Sequence, residues 1–204
     1  MTEQEWLKCT DPANMLEVLK NKASHRRFRL LLCAWSRLNW DWLPKQSCSA
    51  VEMAELFVDG LASDADRKLA DAELWQATLG VHNSIRDWLA RLTLAENIDM
   101  WEAAHSTISA NPRVKSRQTT VLCDIFGNPF RPIALNPAWL AWNDGTVRKI
   151  AQSIYEERAF DRLPILADAL TDAGCDHADI LNHCRSEGLH VKGCWVVDLL
   201  TGRQ

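Results

Sequence analysis

The chain has 204 residues, with 23 Lys and Arg against 27 Asp and Glu, and its formal net charge is −4. A composition of 47% apolar and 25% charged residues excludes a disordered or collagen-like chain and predicts one domain or two small lobes. No stretch approaches the roughly 20 apolar residues that span a bilayer, and residues 1–5 lack the features of a secretory signal. We therefore expect no membrane partner and a cytoplasmic location.

The spacing of apolar residues follows the helical period along most of the chain. Thr2 and Asp11 are typical N-caps of two short helices, and Ser24 begins a central helix that Pro44 ends. The later predicted helices cover 49–61, 64–79, 83–94, 98–109, 118–126, a short stretch from 137, 146–158, 161–173, 178–186 and 195–200. The pattern predicts an all-α fold, a compact bundle of about ten short helices in one lobe or two closely packed lobes.

Residues 111–117 interrupt this pattern, because they carry three positive charges and show no apolar periodicity. We predict that they link an N-terminal helical lobe, residues 1–110, to a C-terminal lobe, residues 118–204. Inside the second lobe, the Gly-Asn-Pro and Arg-Pro steps of 127–132 predict a stiff turn, since proline and the residue before it disfavour helix.

Several stretches of the second lobe carry a resemblance to known proteins. They are DIFGNPFRP at 124–132, WNDGT at 142–146, AFDRLPILADAL at 159–170, HCR at 183–185 and GCWVVDLL at 193–200. With these motifs the chain resembles a large paralogous family of uncharacterised proteins from planctomycete bacteria. The resemblance implies membership and supplies no activity, cofactor or catalytic residue. The family's central helix is often Cys-rich, whereas this chain has only Cys33 there, which argues against Cys33 as a metal ligand.

Seven cysteines in a chain without an export signal favour reduced thiols over a disulfide framework. We expect four of them to be small buried hydrophobes. Six Cys and His lie within twenty residues, namely Cys175, His177, His183, Cys184, His190 and Cys194.

Zinc binds four such ligands in a tetrahedron, and the candidate set is Cys175, Cys184, His190 and Cys194. The cluster has no Cys-x-x-Cys pair, and the adjacent His183 and Cys184 project about 100° apart on a helix. The sequence therefore favours buried structural cysteines and no cofactor, with zinc as the alternative.

Other motifs give weaker indications of chemistry. Glu102 and His105 form one E-x-x-H, whereas a di-iron bundle needs two such motifs, so a structural role is favoured. The chain has no nucleophile elbow, no phosphate-binding loop and no dinucleotide fingerprint, and an enzyme is the less favoured class. The basic residues 25–29 with Arg37 are of a kind that contacts phosphates, but the acidic stretch 52–73 favours internal charge pairing over nucleic-acid binding.

A candidate interaction surface is formed by the stiff turn and the tryptophans after it, namely Phe130, Arg131, Trp139 and Trp142, because aromatic and Arg side chains dominate binding hot spots. A structural role for the turn, with Phe126 and Phe130 buried, is the favoured alternative. The sequence thus predicts a protein–protein interaction or adaptor module with an unidentified partner. A metal- or thiol-dependent enzyme, or a zinc-stabilised domain, centred on 175–194 is the competing hypothesis. The oligomeric state stays open.

Overall fold

The structure is a computed structural model that describes residues 1–78, 85–96 and 99–203, without the side chains of 85–88. In these ranges every regular element is a helix, and the predicted all-α class is confirmed. No helix in the same ranges is both long and apolar enough to cross a membrane.

The chain divides into two compact units, unit 1 (Met1–Leu122) and unit 2 (Cys123–Gln204). The helices of unit 1 are α1 (Glu3–Lys8), α2 (Pro12–Leu19), α3 (His25–Arg37), α4 (Lys45–Val58), α5 (Asp64–Thr78), α6 (Ile85–Leu94) and α7 (Met100–Ser106). Helix α8 (Pro112–Phe126) contains the division between the units. The helices of unit 2 are α9 (Pro137–Ala141), α10 (Thr146–Glu157), α11 (Leu163–Asp172), α12 (Ala178–Arg185) and α13 (Trp195–Thr201).

The predicted N-caps of the first three helices are confirmed. The side chains of Thr2, Asp11 and Ser24 accept hydrogen bonds from the backbone N–H groups of the first turns of α1, α2 and α3. Residues 83, 84 and 98, where two further predicted helices begin, lie outside the described residues.

The expected linker differs from the structure, because residues 112–117 are the first turns of α8 and the units divide between Leu122 and Cys123. Asn111 followed by Pro112 is itself a helix start. The Asn111 side chain accepts a 3.0 Å hydrogen bond from the Arg113 N–H. Lys115 forms a 2.9 Å ion pair with Asp11. The positive charges of this segment therefore lie on the first turns of a helix.

Buried and half-buried arginines link the helices of unit 1. Arg37 of α3 makes two hydrogen bonds of 2.8 Å to the buried Glu55 of α4. The Arg29 guanidinium donates to the carbonyls of Thr93 and Ala95, at the end of α6, where unpaired carbonyls attract a cation. Arg67 donates to the neighbouring carbonyl of Leu94.

The core of unit 2 is formed by α10, α11 and α13, with apolar residues of α12 against them. Trp139 is buried in this core, and Trp142 is half-buried against it. Cys175, Cys184 and Cys194 also belong to the core. Gly127 follows the last residue of α8 and takes the left-handed conformation with φ of 60°, which ends the helix.

Candidate metal site

One group of metal-binding side chains occurs among the described residues, and it lies in unit 2. It consists of Asp124, His183, His190 and Cys194, whose ligand atoms all lie within 4.8 Å of one another. Asp124 is in the last turn of α8, His183 is in α12, His190 is in the segment between α12 and α13, and Cys194 is the N-cap of α13. A carboxylate, two imidazoles and a thiol are all ligands that zinc accepts.

Asp124 contacts both histidines of the group, and only 3% of its side chain is exposed. Its Oδ1 lies 2.6 Å from Nδ1 of His190 and 3.2 Å from Nε2 of His183. Its Oδ2 accepts a 2.8 Å hydrogen bond from the backbone N–H of Val191. Burial opposes the charged carboxylate, but the hydrogen bonds from the two histidines outweigh it and lower the pKa of Asp124.

His190 has hydrogen-bond acceptors at both ring nitrogens. Nδ1 faces Asp124, while Nε2 lies 3.2 Å from Oγ and 3.3 Å from the carbonyl oxygen of Ser186. The Ser186 hydroxyl donates its own hydrogen to the His183 carbonyl, at 2.8 Å, so its oxygen accepts from His190. Burial disfavours the imidazolium, yet the hydrogen bond and charge of Asp124 prevail and raise the pKa of His190.

His183 differs from His190 in the direction of its hydrogen bonds. The indole Nε1–H of Trp195 donates to its Nδ1 at 3.1 Å, and an indole nitrogen is only a donor. Nδ1 therefore carries a lone pair, and the ring hydrogen is on Nε2. This Nε2–H faces both Asp124 Oδ1 and Cys194 Sγ, each at 3.2 Å.

Cys194 is fully buried, and burial raises the pKa of its thiol well above the usual range. The backbone N–H groups of Val196 and Val197 act in the opposite direction without reversing the shift. Without a metal, Cys194 is therefore a neutral thiol. A reactive cysteine needs an accessible thiolate, and this one is neither accessible nor ionised.

Gly127 fixes the position of Trp195. A Cβ at Gly127 would lie 3.1 to 3.2 Å from three ring carbons of Trp195, which is tighter than an ordinary van der Waals contact, so glycine allows the indole to approach the backbone without displacement. The same indole contacts His183, with ring centroids 5.1 Å apart. The glycine of the first motif and the tryptophan of the last motif thus orient the same histidine.

The sequence-derived zinc set overlaps with this group in two residues, His190 and Cys194. Cys175 and Cys184, 3% and 0% exposed, lie in the apolar core and are not in the group. Burial raises the pKa of Cys184 to about 12, so this thiol is protonated near neutral pH. All seven cysteines are free and four are buried, as expected.

The other members, Asp124 and His183, were missed for different reasons. Asp124 lies 66 positions from His190, and no local spacing connects them. The only indication in the sequence was the position of Asp124 close to the apolar residues Val121 and Leu122 in a helical pattern, where a charged side chain is unusual. His183 and Cys184 do lie on different sides of α12, but the histidine side carries the group, while the cysteine side lies in the core.

The predicted interaction residues occupy varied positions. Trp139 is a core residue with 6% exposure, and Trp142 and Phe130 are half-buried. Arg131 is exposed. The turn carries a hydrogen bond from the Phe130 N–H to Asn128 Oδ1, at 3.0 Å, as expected for a stiff turn. In α7, Glu102 and His105 are exposed, and the His105 ring packs against Trp101 at 5.3 Å.

Comparisons with models of protein families, with curated proteins and with solved structures gave no significant match.

Proposed function

We propose that this chain is a cytoplasmic helical module that binds zinc in unit 2 and recognises another protein. The observation that supports zinc is the convergence of four atoms of metal-binding type, one oxygen, two nitrogens and one sulfur, within 4.8 Å of one another. They come from separate segments of the chain, which the ion would hold together. Seven free cysteines support a reducing compartment.

The surroundings of the ligand atoms suit a cation. His190 presents Nδ1 to the group and donates Nε2–H towards the Ser186 carbonyl, 3.3 Å away. A metal-bound histidine typically makes such a hydrogen bond with its second nitrogen. Asp124 Oδ2 is held by the Val191 N–H, at 2.8 Å, which leaves Oδ1 for the metal. Zinc would replace the proton between Asp124 and His190 and ionise the Cys194 thiol.

A thiol-dependent enzyme is the weaker hypothesis. In a Cys-His-Asp triad the acid contacts the imidazole nitrogen that is remote from the cysteine. Here Asp124 Oδ1 and Cys194 Sγ both lie 3.2 Å from the same nitrogen, Nε2 of His183. The other nitrogen accepts from Trp195. The thiol is also fully buried.

Elemental analysis by ICP-MS tests the zinc proposal, on tag-free protein purified under reducing conditions. Because the described residues contain one group of potential ligands, we expect about one zinc per chain in the wild type and in Cys175→Ser. Cys194→Ser should lose it. Cys175 is a matched control because it is a buried thiol of the same unit outside the group. A wild type that stays metal-free after incubation with zinc and removal of excess would contradict the proposal.

A protein partner is supported by large apolar side chains that remain exposed in unit 1. Trp42 and Leu61 are each 72% exposed. Trp is one of the residue types that carry most of the binding energy at protein interfaces, which makes Trp42 the residue to test. We expect Trp42→Ser to keep the wild-type circular dichroism and to lose a partner that the wild type cross-links in its host. Equal cross-linking by both proteins would exclude Trp42 from the interface.

A further inference from the structure

We infer that three residues bind the zinc, Asp124, His190 and Cys194, and that His183 hydrogen-bonds a fourth, exchangeable ligand. The fourth ligand is a water molecule or a small anion. This inference rests on the proposed zinc site and concerns which atoms contact the ion.

The direction of one hydrogen bond carries the inference. A neutral imidazole binds a metal through one nitrogen and keeps its hydrogen on the other. If Nε2 of His183 bound zinc, Nδ1 would carry the hydrogen and would face the Nε1–H of Trp195 at 3.1 Å. Two donors would then oppose each other in a half-buried place. With Nδ1 as acceptor, Nε2–H points into the group as a donor.

Trp195 is not free to turn away from His183. Its indole lies against the backbone of Gly127, where an added Cβ would approach the ring to 3.1 Å. Trp195 also packs against the core of unit 2. The ring of His190 is oriented the other way. Its Nε2 donates to acceptors on Ser186, outside the group, and its Nδ1 is directed at Asp124, inside the group. The two histidines are therefore assigned different roles.

The exposure of the four side chains indicates where the exchangeable ligand enters. His183 is 16% exposed, compared with 7% for His190 and 3% for Asp124, and Cys194 is fully buried. His183 is thus the most exposed of the four side chains, and we place the exchangeable ligand beside it. Three protein ligands with an open position are typical of zinc sites that accept a water molecule or substrate. The Nε2–H of His183 would donate to that ligand, which favours an oxygen or an anion.

Cobalt(II) substitution tests this inference, because cobalt occupies zinc sites and its visible spectrum reports coordination. We compare the wild type with His183→Phe and His190→Phe, which remove ring nitrogens in the same way. We expect His183→Phe to bind one cobalt with affinity lowered about 10- to 100-fold, the range for groups that orient ligands. His190→Phe should not bind stoichiometrically. Added azide should change the wild-type spectrum.

A second variant separates this assignment from a folding effect. Trp195→Phe removes the donor to Nδ1, so His183 can carry its hydrogen there and take the fourth position. We expect this variant to bind cobalt and to lose the response to azide. Loss of metal by His183→Phe to the same extent as by His190→Phe, in folded protein, would overturn the three-residue site. A wild-type spectrum that is indifferent to azide would overturn it as well. Absence of any metal in the wild type would overturn the proposed function and this inference together.

Discussion

The two units bury polar side chains in different ways. In unit 1 a buried charge either pairs with an opposite charge, as Glu55 does with Arg37, or lies at the end of a helix, as Arg29 does at α6. In unit 2 the buried Asp124 is surrounded by two histidines and a thiol that converge on one point. The first arrangement links neighbouring helices, whereas the second collects donor atoms around a small volume. Buried polarity indicates a site only when its atoms converge.

The largest effect that we expect is the stabilisation of the folded chain by zinc, which tests the role of the converging atoms in unit 2. A ligand that binds only the folded chain stabilises it by about 4 kcal/mol when free zinc is 1,000 times its dissociation constant. We expect thermal unfolding of the wild type to shift upward with zinc and downward with EDTA. Asp124→Asn should respond to neither, because it lacks the central carboxylate. An equal response in both proteins would place the metal elsewhere.

The second prediction tests the matched charge of unit 1. Glu55→Gln leaves the Arg37 cation without its partner, and breaking a buried pair costs about 3 kcal/mol, the low end of the usual range, because Arg37 is 23% exposed. Denaturant unfolding measures the loss. Replacing both residues with Met should restore most of the stability. The zinc content should stay unchanged in both variants, and a loss of zinc would contradict the separation of roles.

The third prediction concerns the contact between Gly127 and Trp195. Gly127→Ala should lower the free energy of unfolding by about 1 to 2 kcal/mol for the left-handed conformation and by a further amount for the close contact with Trp195. Gly174→Ala is a matched control, since its φ is +82° and an added Cβ there meets nothing within 4 Å. The difference between the variants measures the collision with Trp195. Equal losses would show that the close approach is unimportant.

The smallest expected effect is the loss of stability on removal of the surface ion pair between Asp11 and Lys115, which are 2.9 Å apart. The hydrogen bond from Lys115 lowers the pKa of Asp11 below its ordinary value of 3.8. The pair therefore contributes stability above that value and loses the contribution as pH falls through the folded pKa. Asp11→Asn keeps a good N-cap, so it should cost at most about 1 kcal/mol at neutral pH.

The same variant provides the pH control. The difference in the free energy of unfolding between Asp11→Asn and the wild type should become smaller as the pH is lowered and Asp11 of the wild type becomes protonated. It should also become smaller in high salt. Urea unfolding at several pH values measures both trends. A difference that is constant with pH would assign the effect to the helix cap.

Local patterns in the sequence predicted the fold better than the site. The caps at Thr2, Asp11 and Ser24 act within one turn of the chain, and neighbouring residues determine them. The start of α8 at Pro112 follows the same rule, which the positive charges of 111–117 obscured.

The metal group depends on tertiary structure and is harder to predict. His190 and Cys194 are close in sequence and belong to the set that the sequence predicts, whereas Asp124 comes near them only in the folded unit. His183 and Cys184 are adjacent, and both are of a type that binds metals. Which of them joins the group depends on which side of α12 faces the core, and local spacing does not determine this. The direction of the Trp195 hydrogen bond has no counterpart in local spacing.

The separation of 66 positions between Asp124 and His190 has a consequence for the unfolded chain. An ion that both residues hold closes a loop of that length, as a disulfide would, and such a closure is worth about 4 kcal/mol in chain entropy. Unlike a disulfide, the link forms without an oxidant and opens when the metal is withdrawn. Zinc would therefore act on this chain as a reversible cross-link suited to a reducing compartment.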